Sequence, residues 1–307
     1  MGFVIRGLLK QKWKGNKKRD LARLAAQTPA AGVAVQQGLA YLPGGNPLHL
    51  LNLYRPEAAS GLLPVIIDIH GGGWMYGDKD LNKNYCIDLA ARGYAVMGMS
   101  YRLLPETDLK GQVQDIFASL HWLFQNSAAH QFDMGRVALT GDSAGGHLTG
   151  LVACIWQSPQ LQELYGVQPA PFSFSALAIS HGVCNVAALG FSKGKMNQYV
   201  DAEMHRMMFG KKPQSSPLFA KASFEQTAEG LVLPPVFLIS SEPDRFYPQS
   251  VALRQYLQKT NAVFEALFWQ RSQGEQLGHV FQVLHPEWAE SAATNKAMLA
   301  FFKQYGV

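Results

Sequence analysis

Short apolar runs alternate with longer amphipathic segments from about residue 48 to the end of the 307-residue chain, and few folds accommodate this alternation. Several of the runs are uninterrupted, as in strands covered on both faces. The pattern predicts an α/β fold, in which helices flank a mostly parallel, twisted sheet with right-handed crossovers. The predicted strands are Leu48–Tyr54, Val65–His70, Ala95–Tyr101, Val137–Thr140, Ala176–Ser180, Val236–Ser240 and Phe264–Trp269.

The sequence predicts one domain at residues 41–307, preceded by an N-terminal arm at residues 1–40. An apolar content of 48% is enough to bury one large core in a chain of this length. A long interruption separates the fifth and sixth predicted strands, and we expect a helical insertion there at about residues 185–230. Its methionines suit either a lid that accepts variable apolar groups or an ordinary packed helix face, and both interpretations stay open.

Basic residues are concentrated in the arm. Eight of the 27 Lys and Arg residues lie between Met1 and Leu24, against one of the 22 Asp and Glu residues. The rest of the chain is therefore slightly acidic despite the formal net charge of +5, which argues against a nucleic-acid enzyme. Two interpretations of the arm remain: a solvated cap helix over the mouth of a site, or an amphipathic helix in weak contact with an anionic membrane surface.

The three cysteines, Cys86, Cys154 and Cys184, are widely spaced and odd in number. They match no zinc-ligand spacing and cannot all pair within one chain, so we expect free thiols and a cytoplasmic location. The first residues lack the charge-then-apolar order of a secretory signal, and no apolar run is long enough to span a membrane. Neither a metal nor another cofactor is indicated.

The strongest local signal is the segment GDSAGG at residues 141–146, which follows a predicted strand and opens a predicted helix. A serine hydroxyl is a weak nucleophile unless a base can reach it, and a tight strand-to-helix turn exposes it to one. Such a turn admits only small residues two positions before and after the serine, where Gly141 and Gly145 stand. We therefore predict that Ser143 is a nucleophile.

A glycine-rich segment, HGGGW at residues 70–74, directly follows the second predicted strand. Attack on a carbonyl produces an oxyanion that needs fixed N–H donors, and residues without side chains let backbone amides approach it. We predict that the amides of Gly72 and Gly73 are two of these donors and that the amide of Ala144, next to the nucleophile, is the third.

A serine nucleophile also needs a base and an acid that orients the base. The loop after the sixth predicted strand carries Glu242 and Asp244, and the chain after the last predicted strand carries His279 and His285. We assign Asp244 and His279 from the chain order nucleophile, acid, histidine. Glu242 and His285 are the alternatives.

At these residues the chain resembles the hormone-sensitive-lipase-like branch of the α/β-hydrolases, which contains bacterial carboxylesterases and acetyl esterases. The resemblance runs from about Leu48 to the C-terminus and is carried by five motifs: HGGGW at 70–74, SYRL at 100–103, GDSAGG at 141–146, EPDRF at 242–246 and GHVF at 278–281. It implies the α/β-hydrolase fold and the same triad and oxyanion donors. It also implies that Trp74 and Tyr76 border the substrate pocket, to which we add Asp142 and His181.

The resulting prediction is a serine carboxylic ester hydrolase that acts on short- to medium-chain acyl esters of small molecules, acetyl to octanoyl, through an acyl-enzyme. A homodimer is part of the prediction. One alternative is an amidase-type hydrolase, because proteins similar to kynurenine formamidase also carry a His-Gly-Gly-x-Trp loop. The other is a non-catalytic ligand receptor on the same scaffold, against which the presence of His279 argues.

Overall fold

Eight strands form a single sheet in the computed structural model, which describes residues 2–189 and 195–307. Their spatial order is first, second, fourth, third, fifth, sixth, seventh and eighth. The first two strands pair antiparallel at one edge, and the third to eighth are parallel. The strands are β1 (Val33–Ala40), β2 (Leu50–Pro56), β3 (Leu63–Ile69), β4 (Ala95–Met99), β5 (Phe132–Asp142), β6 (Ala176–Ser180), β7 (Val236–Ser241) and β8 (Phe264–Trp269).

Helices cover both faces of this sheet, so the predicted fold class is confirmed. Short 3₁₀ turns lie at Val186–Ala188, Pro213–Ser215, Phe219–Lys221 and Arg271–Gln273. The α-helices are α1 (Gly2–Ala26), α2 (Lys83–Ala91), α3 (Leu109–Gln125), α4 (Ser127–His130), α5 (Ala144–Gln157), α6 (Pro159–Tyr165), α7 (Lys195–Phe209), α8 (Phe224–Thr227), α9 (Tyr247–Lys259), α10 (Phe281–Leu284) and α11 (Ala289–Gln304).

Alternate residues of the central strand β3 point into two separate apolar layers. Val65 and Ile67 belong to the layer that contains α3 and α5, whereas Ile66 belongs to the layer that contains α2 and α11. All three side chains are fully buried. Burial on both faces explains why the parallel strands read as continuous apolar runs in the sequence.

All seven predicted strands are present, and β6 and β8 have the predicted bounds. The sequence missed β1, which pairs with β2 at the sheet edge and leaves most of its side chains exposed. It therefore lacks the alternating apolar pattern by which a half-buried strand is found. Because β1 is part of the sheet, the boundary predicted at residue 40 falls after the first strand, and the separate arm is α1 alone.

Helix α1 packs against the body of the protein by apolar and polar contacts. Arg6 forms an ion pair with the buried Glu203 of α7. Near the other end of α1, the Arg23 guanidinium donates to the carbonyl oxygen of Leu284 at 2.9 Å. Among the side chains of α1 that the structure describes, Ile5, Leu9 and Leu24 are buried apolar ones. Among the described residues, none of the helices has the length and apolarity needed to cross a bilayer.

The predicted helical insertion lies between β6 and β7 and contains α7, α8 and three of the 3₁₀ turns. Met204, Met207 and Met208 are buried, whereas Met196 is about half exposed at 49%. The segment 190–194, which falls within the predicted insertion, lies outside the described residues. Three of these four methionines thus pack inward, and movement of the insertion as a lid stays a prediction.

Candidate active site

Ser143 stands alone between β5 and α5, in a backbone conformation that few residues other than glycine adopt, with φ 54° and ψ −116°. The turn is held on both sides, since the Ser143 amide donates to the carbonyl oxygen of Ser180 at 2.9 Å and its own carbonyl accepts from His147 N at 3.1 Å. A Cβ atom at Gly145 would lie 1.9 Å from the carbonyl oxygen of Ile69. Only glycine lets α5 start this close to the end of β3.

The structure brings Ser143, Asp244 and His279 together. His279 Nε2 lies 2.8 Å from Ser143 Oγ, and His279 Nδ1 lies 3.1 Å from Asp244 Oδ2. The Asp244 side chain is fully buried, while that of His279 is 32% exposed. The serine and the histidine are 136 positions apart in the chain, and they meet because the strands that precede them, β5 and β8, belong to the same sheet.

The Asp244 carboxylate is held in its charged form. Burial raises the pKa of Asp244. The hydrogen bond and the charge of His279, with smaller contributions from His181 and the Phe246 amide, lower the pKa by more than burial raises it, so the net pKa is below the ordinary value. A charged carboxylate at Nδ1 favours the proton on that nitrogen. The lone pair of Nε2 then faces the serine hydroxyl, as a base requires.

The two alternative residues are engaged elsewhere. The Glu242 carboxylate accepts from the backbone amide of Arg271 at 2.8 Å. The ring of His285 stacks on Trp288, with centroids 4.1 Å apart, and its Nδ1 lies 3.2 Å from Glu287. Neither side chain is hydrogen-bonded to the serine or to His279, so the structure brings together the residues predicted first.

The glycine-rich loop turns directly beside the serine. Gly72 has φ +104°, and a Cβ atom there would lie 2.0 Å from the carbonyl oxygen of Tyr76. Gly72 and Gly73 line the same cavity as Ser143. Within residues 2–189 and 195–307, no protein group accepts a hydrogen bond from the amides of Gly72 and Gly73. The loop therefore presents two available donors at the serine.

His70 braces this loop from inside the core. Its Nδ1 lies 2.7 Å from the carbonyl oxygen of Gly71, and its ring stacks on Tyr101 with centroids 4.4 Å apart. Burial lowers the pKa of His70 to about 4, although the hydrogen bond to Gly71 acts in the opposite direction. The imidazole is therefore neutral at physiological pH and supports the loop without taking up a proton.

Two predicted pocket residues lie behind the cavity instead of in its wall. Trp74 is completely buried, and its indole N–H donates to Nδ1 of His147 on α5 at 3.3 Å. His181 is also buried, between Ser180 Oγ at 2.9 Å and Ser241 Oγ at 3.1 Å. Both rings are thus fixed by the core, and this corrects their predicted place in the pocket.

His181 nevertheless contacts His279 from behind. Its ring meets that of His279 edge to face, with centroids 5.9 Å apart. Burial lowers the pKa of His181 to about 3, which outweighs the opposite effect of Asp244. A neutral imidazole with two hydrogen bonds at this position supports the ring of His279.

Asp142 lines the cavity and is joined to a second buried carboxylate. The Asn82 side-chain amide donates to Asp142 at 2.8 Å and to Asp68 at 3.0 Å, and Gly71 N donates to Asp142 at 3.0 Å. Burial raises the pKa of Asp142. The pKa of Asp68 is raised to about 8, mainly by burial and to a smaller extent by the charge of Asp142. This network ties the glycine loop to the serine turn.

The cavity over the serine has a volume of about 490 Å³ and is roofed by α1. Trp13 stacks on the predicted pocket residue Tyr76 with ring centroids 5.4 Å apart, and the Tyr76 hydroxyl donates to Asp20 at 2.9 Å. The sequence had suggested a cap helix here without identifying the side chains that it contributes. Those on the cavity are Lys12, Trp13, Asn16, Arg19, Asp20 and Arg23.

The described part of the chain contains no cluster of three or more His, Cys, Asp or Glu side chains that could hold a metal ion. The cysteines are buried free thiols.

The model of the BD-FAE family matches residues 51–257, about two thirds of the chain and the whole segment from the second strand to α9. The chain belongs to this family. BD-FAE is a family of esterases on the α/β-hydrolase fold, so the predicted family resemblance is confirmed. The predicted enzyme class, a serine ester hydrolase, is confirmed at the level of the family.

Solved structures agree with this family. Esterase B from Lactobacillus rhamnosis is 42% identical, covers 99% of this chain and 96% of its own, and superposes with a TM-score of 0.94. An esterase from the archaeon Pyrobaculum calidifontis, at 21% identity and a TM-score of 0.72, covers 100% of this chain and 97% of its own and shares the fold.

Curated relatives match over shorter segments. Carboxylesterase NlhH from Mycobacterium tuberculosis is 35% identical over 109 residues, which is 34% of this chain and 33% of that protein. Isoprenylcysteine alpha-carbonyl methylesterase from Arabidopsis thaliana is 26% identical over 76% of this chain and 55% of its own length. The matched segments thus span about a third to a half of these relatives.

The close approach of Gly145 to β3 gives a first prediction. The Gly145→Ala variant should lose about 3 kcal/mol or more of unfolding free energy, because the new Cβ collides with backbone that cannot move aside. Gly15→Ala is the control, since a Cβ there meets nothing within 4 Å in the middle of α1. It should gain about 0.5–1 kcal/mol. Urea unfolding measures both, and a Gly145→Ala midpoint equal to that of the wild type would contradict this account.

The carboxylate pair gives a second prediction, of pH dependence. Folded Asp68, with a pKa of about 8, keeps a proton that the unfolded chain releases near pH 4. Its contribution to stability therefore falls as the pH rises from about 4 to 8. The Tm of Asp68→Asn minus that of the wild type should increase between pH 5 and pH 8. Exposed Glu57→Gln is the control, and an equal difference at both pH values would count against the raised pKa.

Proposed function

We propose that this chain hydrolyses carboxylic esters through an acyl-enzyme on Ser143, with His279 as the base and Asp244 as the acid that orients it. The observation that carries the proposal is the continuous contact from hydroxyl to imidazole to buried carboxylate, at 2.8 Å and 3.1 Å. Both distances are within hydrogen-bond reach, as proton transfer requires. Membership of an esterase family supports the same reaction.

In the first half-reaction, His279 takes the hydroxyl proton while Ser143 Oγ attacks the carbonyl carbon of the ester. Asp244 stabilises the imidazolium that forms. The C–O bond to the alcohol then breaks, and the alcohol leaves with the proton from His279. In the second half-reaction, a water molecule gives its proton to the same imidazole and attacks the acyl group, which releases the carboxylic acid and restores the serine.

The oxyanion is held by the amides of Gly72, Gly73 and Ala144 in this proposal. The first two have no protein acceptor among the described residues, and the third is at the N-terminus of α5, where the helix dipole favours negative charge. One fixed donor of this kind contributes about 3–4 kcal/mol to the transition state. The turn that strains Ser143 also brings the third amide to it.

The substrate class that we propose is short- to medium-chain acyl esters of small molecules, acetyl to octanoyl. A roofed cavity of about 490 Å³ lined by aromatic rings suits such molecules. The structure of the Lactobacillus rhamnosis enzyme has been solved inhibited by a tributyrin phosphonate. Tyr76 and Trp13 would contact the apolar part of the substrate.

Three further predictions concern the surroundings of the protein. The buried free thiols support a cytoplasmic location. The outer face of α1 supports weak contact with an anionic membrane surface, because it exposes Val4, Leu8 and Leu21 beside several lysines. A homodimer stays a prediction.

A series of p-nitrophenyl esters from acetyl to dodecanoyl tests the proposed function. We expect kcat/KM to be highest between acetyl and octanoyl and to fall by several orders of magnitude in Ser143→Ala, because without the nucleophile only the acceleration from the oxyanion donors and from substrate binding is left. N-formylkynurenine serves as the amide substrate. Faster turnover of this amide than of p-nitrophenyl acetate would favour the amidase alternative, and full activity of Ser143→Ala would refute the proposal.

A matched pair of variants tests the acid. Asp244→Asn should lower kcat roughly 10³- to 10⁴-fold, because the amide no longer holds the productive tautomer of His279. Glu242→Gln, two positions away and bonded only to the Arg271 segment, should change kcat less than about threefold. Circular dichroism confirms that both variants are folded. A larger loss in Glu242→Gln than in Asp244→Asn would reverse the assignment.

A further inference from the structure

The roof of the cavity carries an excess of positive charge. Lys12, Asn16, Arg19 and Arg23 recur at intervals of three and four residues, so they share one face of α1, and all four line the cavity. Arg245, in the loop after β7, lines the same space from the opposite side. This excess lies on the surface that covers the serine, where a substrate has to pass.

The acidic side chains of the cavity wall do not pair with Lys12 or Arg19. Asp20 is engaged by Arg23 at 3.4 Å and by the Tyr76 hydroxyl at 2.9 Å. Asp142 is buried and accepts hydrogen bonds from Asn82 and Gly71. Arg23 is thus paired, and the remaining charge of the roof belongs to the other cations.

Lys12 and Arg19 in particular lack an acidic partner. Within residues 2–189 and 195–307, no carboxylate lies at ion-pair distance from either side chain. Arg19 donates to the neutral Asn16 side chain, one turn away on the same helix. The Lys12 amine lies 5.5 Å from the ring centroid of its neighbour Trp13. Both charges are therefore available to an anion in the cavity.

The cations are close enough to repel one another. The pKa of Lys12 is lowered, mainly by burial and to a smaller extent by the charges of Arg245 and Arg19. This repulsion is a cost to the charged form of Lys12, since positive charges from two separate segments of the chain act on its amine. A negative group in the cavity would remove this cost and become favourably placed itself.

The position of Arg245 indicates which part of a substrate would carry the charge. Its guanidinium carbon lies 4.5 Å from the ring centroid of Phe246, and that ring lies 5.1 Å from the ring of His279. In the proposed mechanism His279 hands its proton to the departing alcohol. The alcohol portion of the ester therefore lies on the side of the cavity where Arg245 stands.

We infer that the enzyme prefers esters whose alcohol portion carries a negative charge, held by Lys12, Arg19 and Arg245. The inference rests on the proposed function and names the substrate class of the same site. A carboxylate at the far end of the alcohol is the simplest group of this kind, because it pairs with both guanidinium and ammonium groups.

Two acetyl esters of the same shape and different charge test the inference. They are 3-acetoxybenzoate and its neutral methyl ester, with each kcat/KM divided by the hydroxide-catalysed rate of the same ester. At low ionic strength the anion should be favoured roughly five- to tenfold, and 0.5 M NaCl should reduce this ratio, because salt screens partly exposed charges. A ratio at or below one would overturn the inference.

Variants assign the preference to the roof. The ratio of anionic to neutral ester should fall severalfold in Lys12→Gln and in Arg19→Gln. Lys14→Gln is the matched control, because it removes the same charge from the exposed side of α1, away from the cavity, and should leave the ratio unchanged. Equal ratios in all three variants and the wild type would contradict the assignment.

Two further arms separate the remaining outcomes. A preference for mono-4-nitrophenyl glutarate over its methyl ester, with none for 3-acetoxybenzoate, would place the charge on the acyl portion and overturn the assignment to the alcohol. Hydrolysis of p-nitrophenyl acetate together with no preference in either pair would remove the charge inference and leave the proposed function standing. If p-nitrophenyl acetate is not hydrolysed either, the proposed function fails and the inference falls with it.

Discussion

The contact on which the rest of the structure depends is the approach of the α5 N-terminus to the end of β3. A Cβ atom at Gly145 would lie 1.9 Å from the carbonyl oxygen of Ile69, so the backbones meet without a side chain between them. This closeness forces Ser143 into its unusual conformation and places the glycine loop beside it. One steric constraint thus positions both Ser143 and the glycine loop beside it, which are the proposed nucleophile and the proposed oxyanion donors.

Buried polar networks keep this arrangement from relaxing. Asp142 receives hydrogen bonds from Gly71 and Asn82, which joins the loop after β3 to the turn after β5. On the other side, His181 is held by two serine hydroxyls and supports His279 from behind. Buried polar groups are costly unless satisfied, so such networks permit few alternative arrangements of the residues that they connect.

The sequence predicted correctly those parts of the molecule in which a local pattern of residues is compatible with only one kind of structure. Continuous apolar runs gave the parallel strands, and glycines around Ser143 gave the turn. The exposed edge strand β1 was missed because neither of its faces is buried. Trp74 and His181 were placed in the pocket although they pack behind it, since the motif fixes the backbone and tertiary packing decides which way each ring points.

The basic residues of α1 also have a place in the structure that composition alone could not reveal. Ile5, Leu9 and Trp13 recur every four residues and set the inward face of α1, which in turn orients Lys12 and Arg19 toward the cavity. That spacing was available in the sequence, but its consequence depends on where the helix packs. Because α1 lies over Ser143, charge that would otherwise suggest a nucleic-acid or membrane partner surrounds the path of the substrate. On an isolated helix these charged side chains would only keep the helix in contact with water. Over Ser143 they become, in our inference, a means of selecting anionic esters.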